Sequence, residues 1–221
     1  MTVLLQFFMI QKFGVSMEIK VLPMGMIGAN CYMITGNTGA VLVDTGEYSP
    51  HLEKFLEDNK DKQRLILLTH AHFDHIGGAD ILRKNTGVKI AIGKNEAHAL
   101  ADGDLNLSNR FHAKVEPFCA DVLLGDGEVF SVGDLQFSVI ETKGHTAGGV
   151  CYLINDALFS GDTLFFESVG RTDFPSGDFN ALSSSIKKLY KLDEGVTVYA
   201  GHGEATTIGH EKKFNPYVRD I

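Results

Sequence analysis

The apolar positions of this chain predict many short strands. From residue 17 onward, runs of three to six mostly apolar residues alternate with stretches rich in Gly, Asn and Asp. Such runs, with many Val, Ile and aromatic residues, are typical of strands. The predicted strands of the first half are residues 18–22, 31–35, 40–44, 65–68 and 88–92, and those of the second half are residues 129–131, 135–140, 150–154, 157–160 and 196–199.

Helical patterns lie between and after these strands. Ser49 and Pro50 favour a helix start, because Ser can cap free N–H groups and Pro fits the first helical position. Asp178 can cap a second helix, and Ile81 and Leu82 are expected to pack on a sheet from a third. The predicted helices cover residues 50–59, 76–82, 95–101, 178–190 and 206–215. Strands followed by helices, twice over, predict an α/β (α+β) fold of two similar β-rich halves with helices outside.

The first sixteen residues differ from the rest. We predict an N-terminal extension over residues 1–16 and one domain over residues 17–221. Residues 3–10 are strongly apolar, but no Lys or Arg precedes them, and they are too few to span a bilayer. We interpret Met17 as a plausible true start and the extension as a segment that could be helical, without a catalytic role. A cryptic export signal is the alternative.

Composition narrows the choice of partners. With 221 residues and 44% hydrophobic content the chain can bury a large core. The formal net charge of −8 argues against nucleic acid, since its binders normally carry an excess of Lys and Arg. Cys31, Cys119 and Cys151 form no C-x-x-C pair. We therefore expect a cytoplasmic protein with no nucleic-acid or membrane partner, and the oligomeric state stays open.

The most informative stretch is residues 69–75, Thr-His-Ala-His-Phe-Asp-His. It places three imidazoles and one carboxylate within six consecutive residues, directly after a predicted buried strand. Neutral imidazole and carboxylate are ligands for zinc, iron and manganese. In an extended chain His70 and His72 can point the same way, and a following turn would bring Asp74 and His75 toward them. The stretch therefore predicts a metal site at a strand end.

Three further sites place His or Asp beside glycine at predicted strand ends. They are Gly144-His145-Thr146, Ser160-Gly161-Asp162-Thr163 and Ala200-Gly201-His202-Gly203. Glycine lets a backbone that carries a metal ligand turn sharply and approach closely. Together with residues 69–75, these histidines and the aspartate are candidate ligands.

With these residues the chain resembles the metallo-β-lactamase superfamily, whose pattern H-x-H-x-D-H, His, Asp, His is met in order from residue 70 to residue 202. The resemblance implies a four-layer αββα sandwich from residue 17 onward. Through residues 144–149, 160–165 and 170–174 the chain is most similar to the short, single-domain members of the glyoxalase II group of thioester hydrolases. It departs from full-length members, because only nineteen residues follow His202, where a glutathione-binding helical domain would be expected.

Carried over residue by residue, the resemblance implies two divalent metal ions per chain. One set of ligands would be His70, His72 and His145, the other would be Asp74, His75 and His202, and Asp162 would bridge the two ions. The ions bring a charge of +4, and two carboxylates with a bridging hydroxide leave about +1, which attracts an anionic substrate. The metal could be zinc, iron or manganese, since the donor set has no thiolate.

This ligand set predicts a hydrolase. Metal coordination lowers the pKa of water toward about 7, so a metal-bridging hydroxide can serve as the nucleophile. A thiolate leaves without strong protonation, so a thioester suits such a site, and the resemblance to the short glyoxalase II members implies a small anionic thioester such as S-D-lactoylglutathione. Asp74 is the candidate catalytic group, because it could orient or receive the proton of the nucleophile.

Three more residues are candidates for the surroundings of the site. Asp44, at the end of a predicted strand, could accept a hydrogen bond from a ligating imidazole. Arg171 could bind a substrate carboxylate or lock its loop through Asp173, and Lys143, where many relatives have proline, could meet the substrate. The alternative function is a persulfide dioxygenase of the same superfamily, with one iron bound by His70 or His72, His145 and Asp162.

Overall fold

The first sheet occupies the N-terminal half of the protein. The computed structural model describes residues 6–12 and 15–219, and within them this sheet has seven strands in the order of the chain. The strands are β1 (Gln6–Lys12), β2 (Val15–Met24), β3 (Ala29–Thr35), β4 (Gly39–Val43), β5 (Gln63–Leu68), β6 (Lys89–Gly93) and β7 (Val122–Leu124). Strands β1 to β4 pair antiparallel, whereas β4 to β7 are parallel.

The second sheet comes from the C-terminal half. Its strands are β8 (Val129–Val132), β9 (Leu135–Glu141), β10 (Val150–Ile154), β11 (Ala157–Gly161), β14 (Thr197–Ala200) and β15 (Thr206–Thr207). The order β15-β14-β11-β10-β9-β8 is antiparallel except for the parallel pair β11 and β14. A small hairpin of β12 (Leu164–Phe165) and β13 (Ser168–Val169) lies in the connection between that pair.

The described part of the chain has six α-helices. They are α1 (Pro50–Asp58), α2 (Phe73–Ile76), α3 (Ala79–Thr86), α4 (Ser108–Phe111), α5 (Phe179–Leu189) and α6 (Ile208–Phe214), with a 3-10 turn over Ala97–Ala101. Side chains cap three of these six helices, namely α1, α5 and α6. Ser49 accepts a hydrogen bond from the N–H of His51, and Asp178 accepts one from the N–H of Ala181. Both predicted caps are confirmed.

Three buried clusters separate four layers. Alternating side chains of β4 show the arrangement: Val41 and Val43 pack toward the second sheet, whereas Leu42 packs toward the helices. Between the sheets, the rings of Tyr32 and Phe159 meet edge to face at 5.1 Å. The outer clusters bury α1 and α3 on the first sheet and α5 on the second. Each fully buried Leu stabilises the fold by roughly 1.5–3 kcal/mol. The predicted αββα sandwich is confirmed.

Several details differ from the sequence-based predictions. Residues 6–12 form strand β1 rather than a helix, and the rest of the predicted extension before residue 15 lies outside the described residues. Leu82 is buried as expected, but Ile81 is 43% exposed, so its predicted packing on the sheet is wrong. Helix α4 and strands β7, β12, β13 and β15 were not predicted. In the described part of the chain, every helix is too short or too polar to cross a membrane.

Candidate metal centre

The seven predicted ligands lie together at one end of the two sheets. His70 and His72 follow β5, and the single turn of α2 contains Asp74 and His75. From the second half, His145 lies between β9 and β10, Asp162 follows β11, and His202 follows β14. The structure therefore brings together all the residues that the sequence singled out as ligands.

The imidazoles of His70, His72 and His145 form the first cluster. Their ligand atoms lie within 4.8 Å of one another, and all three side chains are buried. His145 Nε2 approaches His72 Nδ1 to 2.9 Å. His72 thus faces the cluster with Nδ1, whereas His145 faces it with Nε2.

Asp74, His75 and His202 form the second cluster. Asp74 Oδ2 lies 3.2 Å from His202 Nε2 and 3.5 Å from His75 Nε2, and the two imidazole nitrogens are 3.3 Å apart. His75 is fully buried, but the other two side chains reach the open side of the site.

Asp162 lies between the clusters. Its Oδ1 is 3.4 Å from His75 Nε2, and its Oδ2 is 3.4 Å from His145 Nε2 and 3.6 Å from His202 Nε2. One carboxylate therefore faces imidazoles of both clusters.

This donor set fits divalent cations. Buried polar atoms are normally hydrogen-bonded, yet the buried Nε2 of His70 has no partner among the described residues. Two imidazole nitrogens 2.9 Å apart also need a proton or a cation between them. Nitrogen and carboxylate donors at these separations suit zinc or iron, and a cation would satisfy the unpartnered atoms.

The histidines of the two clusters differ in the direction in which their surroundings shift the pKa. Burial and neighbouring imidazoles hold the pKa of His70 well below the ordinary value and lower that of His72 to about 3. Both rings are therefore neutral, which is the form that binds metal. Burial alone would lower the pKa of His75, but three surrounding carboxylates raise it well above the ordinary value. A cation at the second cluster must therefore displace a proton from His75.

Asp44 holds the ligands of the first half. Its Oδ2 accepts hydrogen bonds from His75 Nδ1 and from the Thr69 hydroxyl, both at 2.8 Å. Its Oδ1 accepts from the Thr69 N–H at 2.8 Å, and His70 Nδ1 lies 3.1 Å from the Thr69 hydroxyl. With both Nδ1 atoms engaged, Nε2 of His70 and of His75 is left to face the cluster. The geometry places Asp44 where the sequence analysis expected it.

Backbone carbonyls hold the histidines of the second half. His145 Nδ1 donates to the Arg171 carbonyl at 2.8 Å, and His202 Nδ1 donates to the Ile27 carbonyl at 3.2 Å. Glycine allows the backbone to come this close, because a Cβ on Gly201 would collide with Asp162 Oδ1. The close approach predicted for glycine beside a ligand is thus confirmed at Gly201.

A cleft of about 430 Å³ opens over both clusters. Arg171 lines it and forms a two-pronged ion pair with Asp173, with both N···O distances 2.6 Å. Its guanidinium also lies 3.9 Å from the centre of the Phe174 ring. Lys143 is not among the residues that line the cleft, and its Nζ lies 3.3 Å from Glu141. The structure therefore brings Arg171 to the site but not Lys143.

Glu96 is an important residue that the sequence analysis missed. It is 2% exposed, and its carboxylate accepts the N–H of Ala71 at 3.0 Å and the N–H of Gly148 at 2.9 Å. Ala71 stands between His70 and His72, and Gly148 follows His145. One buried side chain thus joins the ligand loops of the two halves. Burial raises its pKa above the ordinary glutamate value.

Comparisons with known proteins agree with this geometry. The sequence profile of the metallo-beta-lactamase superfamily matches residues 24–202. Hydroxyacylglutathione hydrolase GloC of Haemophilus influenzae is 33% identical over 91% of this chain and 98% of its own length. The crystal structure of BLEG-1 B3 metallo-beta-lactamase is 39% identical, with a TM-score of 0.83 over 90% of this chain and 99% of that one. The structure of TTHA1623 in a di-iron-bound form is 31% identical, with a TM-score of 0.79 over the same shares of the chains.

The fold and the clustered histidines and aspartates thus define a hydrolase-type enzyme of the kind that binds divalent metals. The chain belongs to the metallo-β-lactamase superfamily.

Proposed function

We propose that the protein is a metal-dependent thioesterase that hydrolyses acylglutathione-type thioesters. The observation that carries this proposal is the lining of the cleft. Apart from candidate ligands, the lining consists of Ile27, Phe73, Leu107, Phe111, Phe165, Val169, Arg171 and Phe174. None of these can act as a general acid at neutral pH, so a leaving group that departs without protonation suits the site. The name of the GloC relative supports the same choice.

The two clusters would hold two divalent ions, with Asp162 between them. Such ions would lower the pKa of water and polarise the thioester carbonyl. Zinc is one candidate, and the TTHA1623 relative makes iron another. Asp44 and the carbonyls of Arg171 and Ile27 keep the imidazoles aimed at the ions.

Asp74 is the proposed catalytic group of the chain. Its carboxylate is partly exposed to the cleft and contacts both His75 and His202. There it can orient the attacking water and receive its proton. An Asp74→Asn variant should lose most activity, whereas one that kept its metal content and full activity would contradict this role.

The direct test combines metal analysis with an activity assay. We expect about two metal ions per chain in protein purified without added metal, and hydrolysis of S-D-lactoylglutathione that a chelator abolishes. Protein with two ions that hydrolyses no thioester would overturn the proposal. One iron per chain with sulfite production from glutathione persulfide would assign the dioxygenase activity instead.

A second candidate is β-lactam hydrolysis, which the likeness to BLEG-1 favours. The amine released from a β-lactam needs a proton, and the cleft lining outside the candidate ligands offers no acid for it. We therefore expect kcat/KM for the chromogenic cephalosporin nitrocefin to be well below that for the thioester. A higher kcat/KM for nitrocefin than for the thioester would favour β-lactam hydrolysis as the function.

A further inference from the structure

A second cavity, of about 330 Å³, adjoins the cleft. Its apolar lining consists of Met24, Met26, Ile27, Phe73 and Phe111. Ile27, Phe73, Asp74 and Phe111 line both spaces, so the cavity and the cleft adjoin at the candidate catalytic group. A group larger than the three-carbon lactoyl unit is needed to fill a cavity of this size.

The aromatic wall of this cavity is fixed in place. The ring of Phe111 stacks on that of Phe73, with centroids 5.2 Å apart and an angle of 29°. Phe111 ends the single turn of α4, and the residues on either side of that turn, Leu107 and His112, have φ values of 66° and 53°. Residues other than glycine adopt this left-handed conformation only at a cost that surrounding contacts must offset.

Buried Asn106 supplies contacts that hold the turn. Its carbonyl accepts the N–H of Phe73 at 2.9 Å, and its Oδ1 accepts the N–H of Ser108 at 3.0 Å. Its Nδ2 donates to the carbonyl of Ala99 at 3.2 Å. The backbone bond between Phe73 and Asn106 thus joins the segments of the two stacked rings, and the Asn106 side chain holds the start of α4 against the 3-10 turn.

The distribution of charge orients a ligand that reaches from cleft to cavity. The ionisable side chains that line the cavity are the carboxylates of Glu47 and Asp74 and the imidazole of His112, and no Lys or Arg is among the lining residues. Cationic groups lie beside Phe174 in the cleft, where the guanidiniums of Arg171 and Arg110 are 3.9 and 5.1 Å from the centre of its ring, and that ring meets Phe111 with centroids 6.1 Å apart. An anionic carrier is therefore favoured beside the arginines, and an uncharged apolar group in the cavity.

We propose that this cavity is a subsite for the apolar acyl group of the substrate, and that the enzyme prefers acyl groups larger than lactoyl. The inference rests on the proposed thioesterase function, and it adds that Phe111, Phe73 and Ile27 set the acyl specificity. The acyl group then has the stacked rings of Phe73 and Phe111 on one side and Ile27 on the other. The thioester carbonyl stays over the metal clusters.

Binding of non-hydrolysable thioethers tests the subsite without turnover. Using zinc-loaded protein and calorimetry, we expect S-hexylglutathione to bind about 10-fold or more tightly than S-methylglutathione, because five additional CH₂ groups leave water. Equal Kd values, or no binding of either thioether, would overturn the proposal.

Substitution of Phe111 tests the position of the subsite. Phe111→Ala should reduce the preference for the hexyl compound to about 3-fold or less, and Phe111→Leu should restore part of it. Phe214 is a matched control, because it is a similarly exposed phenylalanine on α6 that does not line either space (60% exposed, against 50% for Phe111). Phe214→Ala should keep the preference. A preference unchanged in Phe111→Ala would place the alkyl group elsewhere and overturn the subsite.

Turnover then separates the two proposals. S-hexanoylglutathione should have a higher kcat/KM than S-acetylglutathione in the wild type, and Phe111→Ala should narrow that difference. Selective thioether binding without hydrolysis of either thioester would leave the subsite standing and reject the thioesterase function. Hydrolysis of both thioesters at equal kcat/KM would support the thioesterase function and reject the acyl subsite.

Discussion

The two halves of the molecule support the candidate metal centre by different means. The first half contributes four ligands from one short segment after β5, residues 70–75. The buried carboxylates of Asp44 and Glu96 hold this segment. The second half contributes three ligands from three separate loops, and its histidines donate to backbone carbonyls. Side-chain substitution can therefore loosen the first half directly, whereas the support of the second half depends on the path of the backbone.

The largest effect is expected where the halves meet. Asp162→Ala removes the carboxylate that faces both clusters, so it should lower kcat/KM on the order of 10³-fold and reduce the metal content. Elemental analysis and thioester hydrolysis measure the two effects. Asp61→Ala changes an exposed carboxylate on the protein surface and should leave both unchanged. Full metal content with full activity in Asp162→Ala would remove the bridging role.

A smaller effect is expected for the carboxylate support of the first half. Asp44→Asn places an N–H group where His75 Nδ1 and the Thr69 hydroxyl need an acceptor, so metal affinity should fall about 10–100-fold. Titration with a competing chelator measures this affinity. Arg171→Ala is the matched comparison from the second half, because His145 bonds to the Arg171 carbonyl, which alanine retains. Equal losses of metal affinity in the two variants would contradict the proposal that side chains support the ligands of the first half and the backbone supports those of the second.

Glu96→Gln tests the connection between the ligand loops. Glutamine can accept only one of the two N–H groups of Ala71 and Gly148 well, so the protein should lose about 1–3 kcal/mol of stability. Metal affinity should fall by less than in Asp44→Asn, since Glu96 touches no imidazole. Urea unfolding with and without metal measures the stability. A loss that appears only with metal bound would mean that Glu96 acts on the ions and not on the loops.

The smallest effect is expected far from the site, where Asp134 joins the halves. Its carboxylate accepts the N–H groups of Asn37, Thr38 and Gly39, and these bonds outweigh burial and lower its pKa. Asp134→Ala should cost about 1–2 kcal/mol at neutral pH without changing kcat/KM.

The pH dependence of that variant has a definite sign. A carboxylate with a lowered folded-state pKa stabilises the protein fully above its unfolded pKa of about 4 and less as the pH falls through the folded-state pKa. The stability difference between wild type and Asp134→Ala should therefore shrink from pH 5 toward pH 2. A constant difference across that range, measured by urea unfolding, would contradict the hydrogen-bonded carboxylate.

The sequence predicts best those features whose cause is local. Ser49 and Asp178 cap α1 and α5 through N–H groups two and three residues away, so the signal and its effect lie in one segment. The candidate ligands could also be predicted from the sequence, because core packing alone seldom explains a cluster of imidazoles and carboxylates at strand ends. Their common location was predicted from a pattern, and the structure brings them together.

Other features depend on partners distant in sequence. Glu96 bonds to N–H groups 25 and 52 positions away, and no neighbouring residue marks it as special. Strand β1 exists through its antiparallel pairing with β2, which an apolar run alone does not specify. The aromatic wall was missed for the same reason, since Phe73 and Phe111 are 38 positions apart and meet through the turn at α4.

Ile27 links the acyl cavity to the metal centre through a single residue. Its side chain lines the proposed subsite, while its carbonyl accepts the hydrogen bond that orients His202. Strand β3, which follows Ile27, is also joined to the loop of His202, because the N–H of Asn30 donates to the Gly201 carbonyl at 2.7 Å. Insertions or deletions that move the backbone at Ile27 will therefore alter metal affinity together with acyl preference, whereas substitution of its side chain keeps the carbonyl, and changes at Phe111 leave the metal centre untouched. Evolution of new substrate preferences should be easier through α4 than through the turn between β2 and β3.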